Sequence, residues 1–324
     1  VYIFLIALLI ALSFLFVKLN NFEYIMEAAF LTVAAFVPMV IVLIPSDSFH
    51  YGKSRYVAYF LLLTLFAYLV KKIHKKELPQ ITFLDKLLIL YSILIILSTI
   101  FSCDIMKSLD GRVGRREGTV VLIAYVVFMF FASKFYKYKK IHLDIILFSA
   151  VLISVYSFVQ FYCGIDLITG IKLQKYTQAA GTMGHYNFMG SFVSLILPLA
   201  IFAFLYKGRK YYLLSSAIIF SALICTRVRI ACLSFLVYLL ILLFFFLTKT
   251  VYSKRIICLC AAFLVSFLLV NITSNFSPLK RVSTSLNYET QYSYENDDFE
   301  RLGSGRVFIW KRALKLVRIH PVLG

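Results

Sequence analysis

The chain has 324 residues, of which 61% are hydrophobic and 15% charged, and its 34 Lys and Arg against 15 Asp and Glu leave a formal net charge of +19. Soluble domains hold roughly 45–50% apolar and 25% charged residues, so this composition, with a mean hydropathy of +0.88, excludes a soluble globular protein and indicates an integral membrane protein. The positive charge is distributed between hydrophobic blocks, which argues against a nucleic-acid partner.

About ten apolar blocks follow one another, most of them long enough to cross a hydrocarbon core of roughly 30 Å as a helix. They lie near Val1–Val17, Tyr24–Ile44, Tyr56–Val70, Leu84–Phe101, Thr119–Phe135, Leu143–Tyr162, Phe188–Tyr206, Tyr211–Cys225, Ile230–Leu247 and Ile256–Asn271. The fold class is therefore an all-α, polytopic transmembrane helical bundle over 1–271, with 272–324 as the first part of a partly helical outer loop. Transmembrane strands would alternate in polarity over roughly ten residues, and these blocks do not. The first block lacks the charged n-region and cleavage site of a signal peptide and is expected to span. Because position 1 is Val rather than Met, the native start is expected upstream. Of the six cysteines, Cys225, Cys232, Cys258 and Cys260 fall in or beside apolar spans and are expected as small buried hydrophobes rather than a disulfide framework.

The short loops alternate in character. "KKIHKKELPQ", "KFYKYKKIH", "KGRK" and "TKTVYSKR", after the third, fifth, seventh and ninth spans, are lysine-rich and belong in the cytoplasm by the positive-inside rule. "PSDSFHYGKSR", "SCDIMKSLDGRVGRREG", "CGIDLITGIKLQKYTQAAGTMGHYN", "TRVR" and the segment from Ile272 are then outside. Several of these outer segments carry arginine, at Arg112, Arg115, Arg116, Arg227, Arg229 and Arg306. The planar guanidinium fork suits bidentate phosphate recognition, whereas lysine is a hydrated point charge suited to headgroups. An anionic, lipid-linked ligand at the outer face would account for arginines that run against the topological rule.

In chain order, "LDGRVGRREGTV" sets Asp110, Arg112, Arg115, Arg116 and Glu117 among glycines. It suits either phosphate oxygens held by arginine beside closely approaching backbone or a tight turn whose charges pair with one another. "QAAGTMGHYNFMG" places Gly181 and Gly184 in a loop expected to fold back on the bundle. There His185 is either structural or catalytic, and Asn187 is a candidate cap for the next helix. In "CTRVRIACLSF", Arg227 and Arg229 sit between two apolar runs; charge at that depth faces a cavity or snorkels to the interface. The stretch 271–305 carries Tyr288, Tyr292 and Tyr294 with Glu289, Glu295, Asp297, Asp298 and Glu300, a set suited to sugar stacking or to a solvated loop. No cluster has the spacing of a metal site.

Ser304 is a candidate cap for an amphipathic helix over about 305–320, ended by Pro321. Lys311, Arg312, Lys315 and Arg318 share one arc, suited to headgroups, while Arg306 lies opposite with Trp310, Ala313 and Val317, the face expected to pack on the bundle. An arginine in the first helical turn opposes the macrodipole unless an anion is held there. A buried pair with Glu300 or Asp298 is the alternative.

These residues resemble a known family. Gly305, Arg306, Trp310, Ala313, Pro321 and Gly324 match the G-R-x-x-x-W-x-x-A-x-x-x-x-x-x-x-P-x-x-G signature of the O-antigen ligase and polymerase superfamily. "LDGRVGRREGTV" resembles its G-x-x-x-R-x-x-G element through Gly111, Arg115 or Arg116, and Gly118. "GTMGHYNFMGSF" is similar to G-T-x-G-N-x-N with His185 where asparagine is commoner, and "TRVRIA" resembles T-x-S-R-x-A, aligning Arg229 and placing Val228 where serine is usual.

The resemblance implies a GT-C-like membrane glycosyltransferase that moves a glycan from an undecaprenyl-diphosphate carrier to a glycan, lipid or cell-wall acceptor. It implies action at the outer face of a bacterial plasma membrane among membrane lipids, without metal or cofactor. Arg229 and Arg306 would hold the diphosphate, with Arg112, Arg115 and Arg116 as further candidates and His185, Asn187, Trp310 and Arg227 in support. The family's catalytic histidine lies further along the outer loop, so it is expected beyond Gly324, and the chain is expected to be a fragment or a truncated product. A transporter of lipid-linked saccharides would instead place charge deep within several spans. The spans here are nearly free of central charge, which favours a site at one face.

Overall fold

In lipid, the backbone has no water to bond and must satisfy its polar groups internally, and the apolar blocks accordingly form helix. The computed structural model describes residues 22–43, 47–75, 81–246, 250–284, 287 and 306–319. Helix α1 is Phe22–Leu31, α2 Tyr51–Lys75, α3 Phe83–Ile100, α4 Ile105–Asp110, α5 Thr119–Phe135 and α6 Lys140–Cys163. They are followed by α7 Tyr186–Lys207, α8 Lys210–Thr226, α9 Arg229–Phe246, α10 Thr250–Thr273 and α11 Arg306–Ile319. Among the described residues the only strand-like feature is an isolated bridge between Ile165 and Lys172.

Five of these helices are long and apolar enough to cross a membrane: α3, α6, α7, α9 and most of α10. The segments Met26–Met39, Thr119–Phe135 and Lys210–Thr226 are apolar but shorter. The expected count of about ten spans is therefore met only in part, and the first expected span, Val1–Val17, lies outside the described residues. The second differs in kind from the expectation. It is not one helix: α1 ends at Leu31, a π turn covers Thr32–Phe36, and a 3₁₀ turn covers Val37–Met39 before Val40 turns extended. Pro38 contributes to the break, since proline offers no backbone N–H for the helical ladder, while Val37 before it keeps helical angles.

The chain divides into two compact units, one of residues 1–153 with Thr182–Gly184, the other of 154–181 with 185–324. In the first, Met26, Ala67 and Phe131 form one buried cluster, and Val37, Val57, Leu61, Ala124 and Phe128 form another. In the second, Val193, Leu197, Ile201, Ile219, Leu223 and Leu259 are fully buried, and the Phe220 ring packs at a tilt 4.5 Å from that of Phe263 and 4.8 Å from that of Phe235. Tight aromatic pairs of this kind add to area burial.

Polar contacts sort the loops into two sets. In the first unit Lys134 pairs with Asp85 at 2.7 Å, and Lys139 and His142 reach Glu27 at 2.6 and 2.5 Å. In the second, Arg255 donates to the carbonyls of Leu205 and Tyr206. All of these join lysine-rich loops, or the helix ends facing them. The arginine-bearing loops bond to one another in the same way, as described next, so within each unit the alternation inferred from charge agrees with the contacts.

Candidate functional site

In the first unit three of the loops expected on the outer side converge. Asp104 caps α4 by accepting from the Lys107 N–H at 3.0 Å. The chain then turns through Gly111, and the N–H groups of Arg115 and Arg116 both donate to the Arg112 carbonyl. Gly118 packs so closely on this turn that a Cβ there would stand 2.5 Å from the Gly111 nitrogen, so a side chain would force the turn open. Arg116, at φ 55°, points its guanidinium at two carboxylates, Asp47 at 3.0 Å and Asp110. Arg55 reaches the other oxygen of Asp110 at 2.6 Å. The Tyr51 ring lies under both guanidiniums, 5.0 Å from Arg55 and 5.5 Å from Arg116. Burial alone would lower the Arg116 pKa, but the hydrogen bond it donates to Asp47 and the charge of Asp110 outweigh that and hold it above the usual value. Arg112 and Arg115 are exposed on the turn.

The 182–184 turn belongs to the same unit. Lys53 donates through Nζ to the Thr182 carbonyl, and the Thr182 hydroxyl donates to the Pro38 carbonyl at 2.7 Å. Burial pushes the Lys53 ammonium down to about 8. Gly184 has φ +73°, and a Cβ there would come within 2.5 Å of Phe49 Cβ. Both facts require glycine, and they bear out the expectation of a loop folded back on helices.

In the second unit, Gln160 grips Gly181 from both sides, accepting its N–H at 2.7 Å and donating to its carbonyl at 3.2 Å. Asp166 is buried and accepts from Tyr156 at 2.7 Å, Gln160 at 2.6 Å and the N–H groups of Ile168 and Thr169. Burial raises its pKa, but these donors, Thr169 N–H foremost, outweigh that and hold it below the usual carboxylate value.

His185, not Asn187, caps α7: its Nδ1 accepts from the Asn187 N–H at 3.1 Å. The expectation of an Asn187 cap is corrected, because Asn187 lies inside the helix. Its own side chain is exposed. A ring nitrogen stands here where the side-chain amide oxygen of an asparagine would do the same work. His185→Ala is expected to cost about 1 kcal/mol and His185→Asn to cost little, checked by thermal unfolding of the two variants.

Arg227 ends α8 in the left-handed conformation, φ 55°, with its N–H on the Ile224 carbonyl. Its Nη1 donates to the Tyr176 carbonyl at 2.7 Å. Arg229 opens α9 and is exposed. The two arginines thus diverge, one half-buried against the loop and one outward.

Arg306 is the first described residue of α11 and is exposed. The face expected to pack on the bundle does not do so: Trp310 is 62% and Val317 55% exposed, and no residue of α11 is buried. With mainly charged residues interleaved among its apolar ones, this helix has a face for an interface rather than for a core. Ser304, Gly305, the tyrosine- and acid-rich stretch, His320, Pro321 and Gly324 lie outside the described residues.

Sequence reasoning missed Asp47, Arg55, Lys53 and Gln160. The signal was present for the first two: an acid and a base in "PSDSFHYGKSR" opposite a loop of the same face carrying base and acid. Residues 214–324 match a family model described as O-antigen ligase, a stretch that takes in most of α8, all of α9 and α10, and α11. Searches among curated proteins and among solved structures gave no match.

Proposed function

Residues 214–324 match the O-antigen ligase family model, and on that ground we propose that the protein binds the diphosphate of a lipid-linked donor as a membrane glycosyltransferase of that superfamily. It acts on a glycan linked to undecaprenyl diphosphate at the outer face of a bacterial plasma membrane. The observation that carries this reading is that Arg229, one of the two motif arginines, stands at the first position of a helix, exposed. It joins a guanidinium to the backbone N–H groups at the positive end of a helix dipole, a combination suited to phosphate oxygens.

In the proposed reaction the acceptor hydroxyl attacks the anomeric carbon from the side opposite the carrier. The bond from that carbon to the diphosphate oxygen breaks, and the electron pair leaves with the carrier. Arg229 and Arg306 meet charge that grows on the departing diphosphate, and fixed cationic donors of this kind stabilise it without reorganisation. The hydroxyl proton passes to a base, a role that the family resemblance gives to a histidine of the outer loop. Arg112 and Arg115, presented by a turn that Arg116 ties to Asp47 and Asp110, are further phosphate contacts in this scheme. Arg116 itself then serves the shape of the turn.

The test is transfer by the full-length protein in vesicles, with a radiolabelled undecaprenyl-diphosphate-linked glycan and candidate acceptors. Appearance of an inverted glycosidic product with release of undecaprenyl diphosphate is expected. Movement of intact donor across the bilayer without bond cleavage would instead identify a transporter.

A further inference from the structure

A second cationic feature in unit 2 involves Arg227, which is turned to the loop while Arg229 is exposed. Its focus is the Tyr176 carbonyl, which accepts from Arg227 Nη1 at 2.7 Å and from the Ser277 hydroxyl at 2.6 Å. Ser277 begins a helical stretch at 277–284, and Arg281, four residues on, lies on the same helix face. Ser277 therefore brings Arg281 to the loop that Arg227 already holds. The charge of Arg281 reaches Arg227: burial first, then that repulsion, lowers the Arg227 pKa.

Two further facts make this a site with a component missing. Arg227 Nε is buried with no hydrogen-bond partner, and a buried unsatisfied donor of a charged group is costly. Among the described residues, neither Arg227 nor Arg281 forms an ion pair with an acid, whereas Arg116 is held by two. Like charges gathered around an unfilled donor are relieved by an anion. The surroundings say which kind. Ile230, Ile272 and Phe276, at the ends of the flanking helices, are 58%, 60% and 49% exposed, and the Tyr162 and Tyr176 rings meet 6.0 Å apart beside the loop. An anion here sits where a hydrocarbon belt gives way to polar loops, the position of a phosphate on a membrane lipid.

We propose that Arg227 and Arg281 form a subsite for a lipid-borne phosphate, distinct from Arg229 and Arg306. It requires only that the chain lies in a membrane, and it holds whether or not the transfer reaction does. Phospholipid headgroups and the polyprenyl carrier share this chemistry.

The experiment is thermal unfolding of the purified full-length protein with phosphatidylcholine, phosphatidylglycerol or undecaprenyl phosphate added, for wild type, Arg281→Gln and Arg281→Lys. Wild type is expected to unfold at higher temperature with a lipid phosphate bearing net charge than with phosphatidylcholine. Arg281→Gln should bind that lipid about tenfold more weakly, the loss of one charge-assisted hydrogen bond, and Arg281→Lys should recover part of it. Without anionic lipid, Arg281→Gln should be as stable as wild type or more so, because it removes repulsion. A response to phosphatidylglycerol identifies the headgroup, and a response confined to undecaprenyl phosphate identifies the carrier. Lipid responses identical in wild type and Arg281→Gln overturn the proposal. So does destabilisation by Arg281→Gln in phosphatidylcholine alone, which would show that Arg281 already has a partner within the protein.

Discussion

Arg229→Ala in the full-length protein is expected to lower glycan transfer about 10²–10³-fold, the loss typical of one fixed donor aimed at developing charge. Arg306→Ala should behave alike. Because the diphosphate gains charge as the glycosidic bond breaks, the loss should fall more on kcat than on KM. Arg229→Lys should restore part of the rate, since it returns the charge without the planar fork. If both arginines grip one diphosphate, the double alanine variant should lose less than the product of the single losses. Transfer at the wild-type rate in both single variants would leave a membrane scaffold as the better account of these residues.

Arg116→Ala should be the most destabilising of the loop substitutions. Asp47 has a side chain only 2% exposed and Arg116 one of 15%, so removing the guanidinium strands a buried carboxylate. Breaking a buried pair from one side costs roughly 3–5 kcal/mol. The lower end applies here, because Asp47 keeps weak bonds from the His50 and Gly114 N–H groups at 3.2 and 3.4 Å. Thermal unfolding should report a clear fall in Tm for Arg116→Ala, with a smaller one for Asp47→Asn combined with Arg116→Met, which removes both charges. By contrast Arg112→Ala, at an exposed position, should leave Tm near wild type. A fall for Arg116→Ala no larger than that for Arg112→Ala would rule out the role assigned to the Asp47 pair.

The alternation of loops was legible because lysine and arginine are segregated along the chain, and the contacts within each unit follow that division. The helices from Leu84 onward were legible because length and apolarity decide helix in lipid, although two of them, Thr119–Phe135 and Lys210–Thr226, are shorter than a span needs. The second span was not, since apolarity alone does not register that Pro38 contributes to breaking a helix. The site was legible only as residue types. That Arg116 turns to Asp47 while Arg112 and Arg115 face out depends on a left-handed residue in a six-residue turn, and no periodicity encodes it. The cap at α7 was misassigned because asparagine is the stronger capping residue, whereas the chain places His185 at the boundary. The Trp310 face was expected in a core because an amphipathic pattern cannot tell a protein partner from a membrane surface.

Lys53 makes a different kind of tether from its arginine neighbours. Its amine can donate to the Thr182 carbonyl with or without the extra proton, so the bond that holds the 182–184 turn to α2 survives titration while the charge does not. With its value lowered to about 8 against roughly 10.4 for a free lysine, the cost of burying the charge is present below about 8. It is relieved as pH rises toward 10.4, so the turn is held more firmly in alkali than in acid. An arginine at this place would fix a permanent charge beside the glycine-rich loop. The lysine instead lets the protein keep its architecture there while exchanging a proton with the medium, a small acid–base buffer built into a structural joint.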